Sequence, residues 1–229
     1  MSTLLLRLAA PLQSWGVDAK FDRRGTERVP SKSAVIGLVA AALGRRRTDS
    51  VDDLLALRFG VRVDKEGVLL RDYHTARSKK SAYVTQRYYL ADAVFLAGLE
   101  GDLDLLTKIE HALRHPAFPL FLGRRSCPPE GRISLGIRNK SLLQALQEEP
   151  WLVHYVPPRR GMQEIVLRIV MDAEPDSTHY YYQRDVPISF SQAHRKFGFR
   201  RVSESMLEYQ LPPTEIQTQH DPMLELGEE

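Results

Sequence analysis

Val68–Phe95 reads VLLRDYHTARSKKSAYVTQRYYLADAVF, and its ends differ in kind from its middle. Apolar runs flank it: Val68, Leu69 and Leu70 before, and Ala91, Ala93, Val94 and Phe95 after. The middle holds Arg71, Arg77, Lys79, Lys80 and Arg87 against a single acid, Asp72, with Tyr73, Tyr83, Tyr88 and Tyr89 from the chain's nine tyrosines. Apolar ends around a polar middle predict an excursion, a protruding β-hairpin thumb at about 73–90, that projects from two strand ends of one sheet. Interleaved cations and aromatics suit single-stranded RNA, since cations meet phosphates while aromatic faces stack on unpaired bases. The competing reading of the same composition is a solvated hairpin whose tyrosines half-bury against the domain.

Upstream of this stretch, Leu4–Leu8 is a short apolar strand, broken by the loop Pro11–Gly16 with Gln13, Ser14 and Trp15. A polar segment with Lys20, Arg23, Arg24 and Arg28 leads through Pro30, Ser31, Lys32 and Ser33 into a helix. Its apolar residues Val35, Leu38, Val39 and Ala42 follow the i, i+3, i+4, i+7 pattern, and Gly44 closes it. A helix start with hydroxyls, free N–H groups and nearby cations is a candidate phosphate site, although the same residues serve as ordinary N-caps. Arg45, Arg46 and Arg47 complement the dipole at the other end. Val61 and Val63, a turn at Gly67 and Val68–Leu70 predict a hairpin.

Downstream, Ala93–Leu99 is a strand, and Asp102 caps a helix with Leu106, Ile109 and Leu113 on one face that ends before Pro116. His111 and His115 stand four apart on it, a spacing that could hold a metal, but no accompanying Glu-based pattern supports one and no metal or other cofactor is expected. Ile133–Ile137 is a last strand. The order is βαββαβ, which predicts an α+β, ferredoxin-like domain of the kind that RNA-recognition modules also use. Between the second helix and last strand, Pro119–Gly131 carries Gly123, Arg124, Arg125, Ser126 and Cys127. Paired arginines on a Gly/Pro-shaped loop fit phosphate or base contact, or else solvent-facing charge on a rigid turn.

From Trp151 the pattern is less regular, with strands expected at Glu164–Met171 and Tyr180–Tyr182 and a basic, aromatic mixture of Arg195, Lys196, Arg200 and Arg201 around Phe197 and Phe199. The expected organisation is a domain at 1–149, a β-rich part at 150–211 and an acidic, disordered tail at 212–229. Five acids and no Lys or Arg follow Leu211; setting them aside leaves 32 basic residues against 24 acidic ones, a surplus of eight that favours a polyanion as partner. No apolar run approaches the ~20 residues of a membrane span, and the N-terminus lacks a signal peptide's basic start and small-residue cleavage site. A single cysteine, Cys127, excludes an internal disulfide and fits a reducing cytoplasm.

Five blocks, in order, carry a resemblance: LAAPLQSWG (Leu8–Gly16), RVPSKSAVIGLVAAALG (Arg28–Gly44), LRDYHT (Leu70–Thr75), RYYLADA (Arg87–Ala93) and PLFLGRRSCP (Pro119–Pro128). Together they resemble the CasD family, the Cas-five members of the RAMP superfamily in type I-E CRISPR Cascade. The resemblance implies a non-catalytic, cytoplasmic RNA-binding subunit of an antiviral ribonucleoprotein complex. Its thumb holds the 5′ handle of the CRISPR RNA, beside the backbone subunits and the large subunit that reads the protospacer-adjacent motif, with target DNA bound only indirectly. The RNA-binding candidates are then Gln13, Trp15, Arg28, Ser31, Lys32, Ser33, Arg71, Tyr73, His74, Arg77, Lys79, Lys80, Tyr83, Arg87, Arg124 and Arg125. Related subunits in type I-C systems cleave repeat RNA, so the alternative is a metal-independent endoribonuclease. Tyr73, His74, Lys79 and Lys80 would supply its base, acid and cation.

Overall fold

The computed structural model describes residues 1–16, 19–20, 23–77, 81–153 and 164–211. The first strand, β1 (Ser2–Ala9), lies inside a sheet and is covered on both sides, which is why it reads as a near-continuous leucine run. Leu4, Leu6 and Leu8 point into one core and Leu5 into another. Short strands β2 (Leu12–Gln13), β3 (Ala19–Lys20) and β4 (Arg23–Arg24) precede the helix α1 (Lys32–Ala42), and one turn of helix, α2 (Asp52–Leu55), follows it. Then come β5 (Arg58–Lys65), β6 (Val68–Arg77), β7 (Ala82–Ala91), β8 (Val94–Gly101) and α3 (Leu103–Arg114). The chain continues through β9 (Ser134–Arg138), α4 (Leu142–Glu148), β10 (Glu164–Asp172), β11 (Tyr181–Ser189) and β12 (Lys196–Gln210). The result is a mixed α+β structure. Its main sheet, of seven strands among the described residues, has the order β11-β12-β10-β5-β8-β1-β9 with every pair antiparallel.

α1 and α3 cover one face of this sheet through Val35, Ile36, Val39, Leu106 and Ile109, and α4 covers the other through Leu142 and Leu146. The expected ends of α1 and α3 match: Ser31 and Asp102 cap their starts with side-chain oxygens, and Gly44 takes φ +77° just after α1. The short α4 is held by charge at both ends. The Glu100 carboxylate accepts from Leu142 N–H at 2.8 Å at its start. At its end, the fully buried Arg62 donates to Leu146 O, Glu149 O and Pro150 O at 2.6–3.0 Å while paired to the equally buried Asp64. A cation at the helix C-terminus satisfies carbonyls that have no partner within the helix.

The hairpin expected across Gly67 does not form. β5 pairs with β8 and β10 in the main sheet, whereas β6 pairs with β7 in a second sheet, so the chain changes sheets at Glu66–Gly67. The reason is burial. Val61 and Val63 belong to the core and need neighbours on either side, while Val68 is 70% exposed and has no place there. Gly67 makes the switch possible, with φ +71° and so close to Ala91 O that a Cβ would lie 2.5 Å from it. The strands β10–β12 extend the main sheet beyond β5, and the tail at 212–229 lies outside the described residues. No helix among the described residues is long and apolar enough to cross a membrane.

Candidate nucleic-acid interface

β6 and β7 leave the main sheet between its neighbouring strands β5 and β8 and pair with each other from Val68↔Ala91 to Arg77↔Ala82. Because side chains alternate along a strand, this hairpin presents two faces. One carries Arg71, Tyr73, Gln86 and Tyr88. Arg71 stacks on Tyr73 at 4.6 Å, and Arg23, brought in by β4 running parallel to β7 at Gln86–Arg87, stacks on Tyr88 at 5.2 Å. Tyr73 is 57% exposed, so its ring keeps a free side for a partner. The other face carries Asp72, His74, Tyr83, Arg87 and Tyr89, with Tyr83 61% exposed near the tip.

At the base of the second face the loop Pro119–Gly131 joins the hairpin. Arg124 stacks on Tyr89 at 4.6 Å and donates to Arg24 O at 2.9 Å and Gly25 O at 3.2 Å, tying loop, hairpin and β4 together. Burial pushes the Tyr89 phenol up, but hydrogen bonds from Ser126, Arg124 and Arg87 and the Arg124 charge bring it net below the usual tyrosine value. Two nitrogens here, Arg87 Nε and Arg124 Nη1, are buried and have no hydrogen-bond partner among the described residues. Buried donors are almost always satisfied, so these two N–H groups beside exposed cations make Arg87 and Arg124 candidates for phosphate contact; Arg7, Arg168 and Arg201 each have a similarly unpartnered Nε elsewhere. Arg125, next along the loop, is exposed, as are Arg28, Arg71 and Arg77.

The loop's position depends on Gly123. Ser14 N–H donates to Leu122 O at 3.1 Å, Leu122 N–H to Cys127 O at 2.8 Å, and Gly123 passes so close that a Cβ would sit 1.6 Å from Ser14 O. With φ +86° as well, only glycine fits. Gly123→Ala is therefore expected to cost about 1–3 kcal/mol in urea unfolding, the range for a strained backbone position. It should also weaken RNA binding by displacing Arg124; equal stability and affinity in the variant would show the loop seated some other way. Cys127, inside this loop, is buried, and burial raises its thiol above the usual value.

Several sequence candidates turn out to be interior. Gln13 and Trp15 are fully buried: Gln13 Nε2 donates to Ala93 O at 2.6 Å and to Leu8 O at 3.3 Å, and Trp15 Nε1 donates to Gln13 Oε1 at 3.1 Å. They brace the hairpin's root and cannot meet a strand of RNA. The start of α1 is already filled by the protein's own anions. Lys32 N–H donates to Asp185 Oδ2 at 2.8 Å, Lys32 Nζ pairs with Asp172 at 3.0 Å, and Ser31 and Ser33 are buried and share a hydrogen bond at 3.3 Å. Arg200 completes the cluster, pairing with Asp185 at 2.7 Å and Asp172 at 2.8 Å. Burial alone would push its guanidinium down, but those two carboxylates hold it above the usual arginine value. Arg201 is engaged too, stacked on Tyr180 at 3.8 Å and donating to Ser177 O at 2.7 Å. These interior acids and cations, like the Arg62–Asp64 pair, were not legible as partners in the sequence.

Lys79 and Lys80 lie outside the described residues. Tyr73 and His74 are consecutive on β6 and so face opposite sides of the hairpin, with His74 Nδ1 3.8 Å from Asp72. His111 and His115 stack at 4.9 Å, and no group of three or more His, Cys, Asp or Glu among the described residues could hold a metal.

The chain matches the model of a family described as CRISPR-associated protein (Cas_Cas5) over residues 3–203. It is similar to the CRISPR system Cascade subunit CasD of Escherichia coli (strain K12), at 35% identity over 181 residues that cover 68% of this chain and 78% of that protein. Among solved structures it is similar to a chain of a CRISPR RNA-guided surveillance complex, with TM-score 0.78, 32% identity and coverage of 95% of this chain and 97% of that one. It is also similar to a Cas protein solved as a crystal structure, with TM-score 0.70, 41% identity and coverage of 90% and 94%.

Proposed function

The chain belongs to the Cas5 family of CRISPR-associated proteins, and on that premise we propose that it is the Cascade subunit that binds the CRISPR RNA and caps its 5′ handle. It joins the backbone and large subunits of a surveillance complex that targets invading DNA. The observation that carries this reading is the β6–β7 hairpin: exposed rings and cations along it, and two orphaned guanidinium nitrogens at its root. Exposed Tyr73 and Tyr83 stack on bases, Arg71 and Arg77 meet phosphates, and Arg87, Arg124 and Arg125 grip the backbone where the handle passes the loop.

The strand order β9-β1-β8-β5, with α1 and α3 as crossovers on one face, supports reading residues 1–149 as a ferredoxin-like domain with the hairpin inserted between its second and third strands. Residues 150–211 then form a β-rich extension of that sheet, and 212–229 an acidic tail. The complex works in the cytoplasm, where the lone thiol stays reduced.

We read the subunit as a holder of RNA and not a nuclease. Base and acid must converge on one phosphate, and Tyr73 and His74 on opposite faces of a strand do not. Incubating the purified chain with labelled repeat RNA in EDTA, then running native and denaturing gels, tests both points. The expected result is a retarded complex containing intact RNA. A unique cut would establish the endoribonuclease instead, and absence of retardation would remove RNA binding.

A further inference from the structure

β11 and β12 form the outermost ribbon of the main sheet, far in strand order from β9. Their inward side chains Asp185 and Arg200 are locked into the cluster under α1. Tyr181 also turns to that side and donates to Glu204 at 2.8 Å; burial and that carboxylate push its phenol up to about 12. Among the described residues no helix packs substantially on the opposite face, because α4, the helix on that side, packs on β1, β5 and β8. On it Tyr182 stands opposite Arg201, and Phe199 lies two residues before Arg201 on the same side of β12. Tyr180 meets Tyr182 edge-on at 5.6 Å. Tyr182 and Phe199 are 64% and 66% exposed, an unusual state for rings this size on a sheet.

Charge decides what such a face fits. Between Thr178 and Arg201 the single acid is Asp185, and it is fully buried and spoken for. Arg184 and Lys196 are exposed, and neither has a hydrogen-bond or ion-pair partner among the described residues. Arg195 lies over Phe197 at 5.1 Å. A protein partner would leave these cations to be desolvated unless it brought matching acids, whereas a single strand of nucleic acid answers rings and cations together.

We propose that the open face of the β11–β12 ribbon is a second nucleic-acid surface, a stacking platform for a single strand that is separate from the hairpin site. Tyr182 and Phe199 stack on bases, and Arg184 takes a phosphate. The strand is RNA or DNA, since stacking and phosphate contacts are common to both.

The test uses the full chain with its hairpin site occupied by unlabelled repeat RNA, and labelled oligothymidylate and oligouridylate as probes. The double variant Tyr182→Ala, Phe199→Ala is expected to bind these oligomers about tenfold more weakly for each ring removed, while Tyr182→Phe, which keeps the ring, binds like the parent. Arg184→Ala is expected to lower the salt slope by about 0.7. Ultraviolet cross-links should map to the ribbon, a result that stands even if the hairpin binds no repeat RNA. A preference between the two oligomers identifies the strand as DNA or RNA. Parent-like oligomer binding by the double variant, or cross-links confined to other elements, overturns the proposal. So does a double variant that binds oligomers normally but drops out of the co-purified complex, which would make the ribbon a protein-docking face.

Discussion

Asp185→Ala is expected to destabilise the chain by about 3–5 kcal/mol, the cost of breaking a buried ion pair by removing one partner. The carboxylate is fully buried and has two duties: it caps the first N–H of α1 at Lys32 and it neutralises Arg200. Its loss leaves Arg200 with Asp172 alone, and Asp172 already serves Lys32 Nζ and Phe59 N–H. Urea unfolding followed by circular dichroism measures the effect. The double variant Asp185→Leu, Arg200→Leu should recover most of the loss, because apolar groups of similar volume often replace a buried pair with little change in stability. A cost below about 1 kcal/mol for Asp185→Ala, the range of a surface pair, would mean that this cluster does not anchor the outer ribbon to α1.

The same cluster shows what the sequence could and could not reveal. Local signals worked: the leucine run of β1, the i, i+3, i+4 pattern of α1, the Asp102 cap of α3 and the compositional break at Arg71 each follow from a few neighbouring residues. The start of α4 also carries a readable signal, Ser141 with Gln144 three residues on, which is a capping box. Long-range pairing did not announce itself. Lys32 reads as a phosphate ligand beside Ser31 because its carboxylate partners lie 140 and 153 residues away, and only the folded sheet brings them to the start of α1. Gln13 and Trp15 misled for the same reason, as polar and aromatic residues whose partners come from the far side of the hairpin. The hairpin expected across Gly67 failed because a turn signal specifies a reversal but not which sheet each arm joins. Of the candidate site residues, those the structure leaves exposed include Arg71, Tyr73, Arg77, Tyr83 and Arg125.

Those outside residues set the largest functional effect. Replacing Asp72–Arg87 with a two-residue Asn-Gly turn joins Arg71 directly across to Tyr88, residues already paired in the hairpin. None of the described side chains removed is buried, while Tyr89 and Leu90 at the root remain, so the core should stay folded, with the pairing of β4 to Gln86–Arg87 as the structural loss. It nevertheless loses Tyr73, Tyr83, Arg77 and Arg87, which carries one of the two unpartnered guanidinium nitrogens. Two lost base stacks at ~1–3 kcal/mol each make the expected loss of repeat-RNA affinity about a hundredfold or more. The residual binding should also depend less on salt, since fewer phosphates are neutralised. The effect on assembly follows from the same geometry: a subunit that cannot hold the handle gives the neighbouring backbone subunits no shared RNA to close on. Native mass spectrometry of the co-expressed complex reads that directly. A shortened, folded chain that binds repeat RNA like the parent and enters the complex at full occupancy would sink the hairpin as the handle site and leave Arg124 and Arg125 on their loop as the principal RNA contacts.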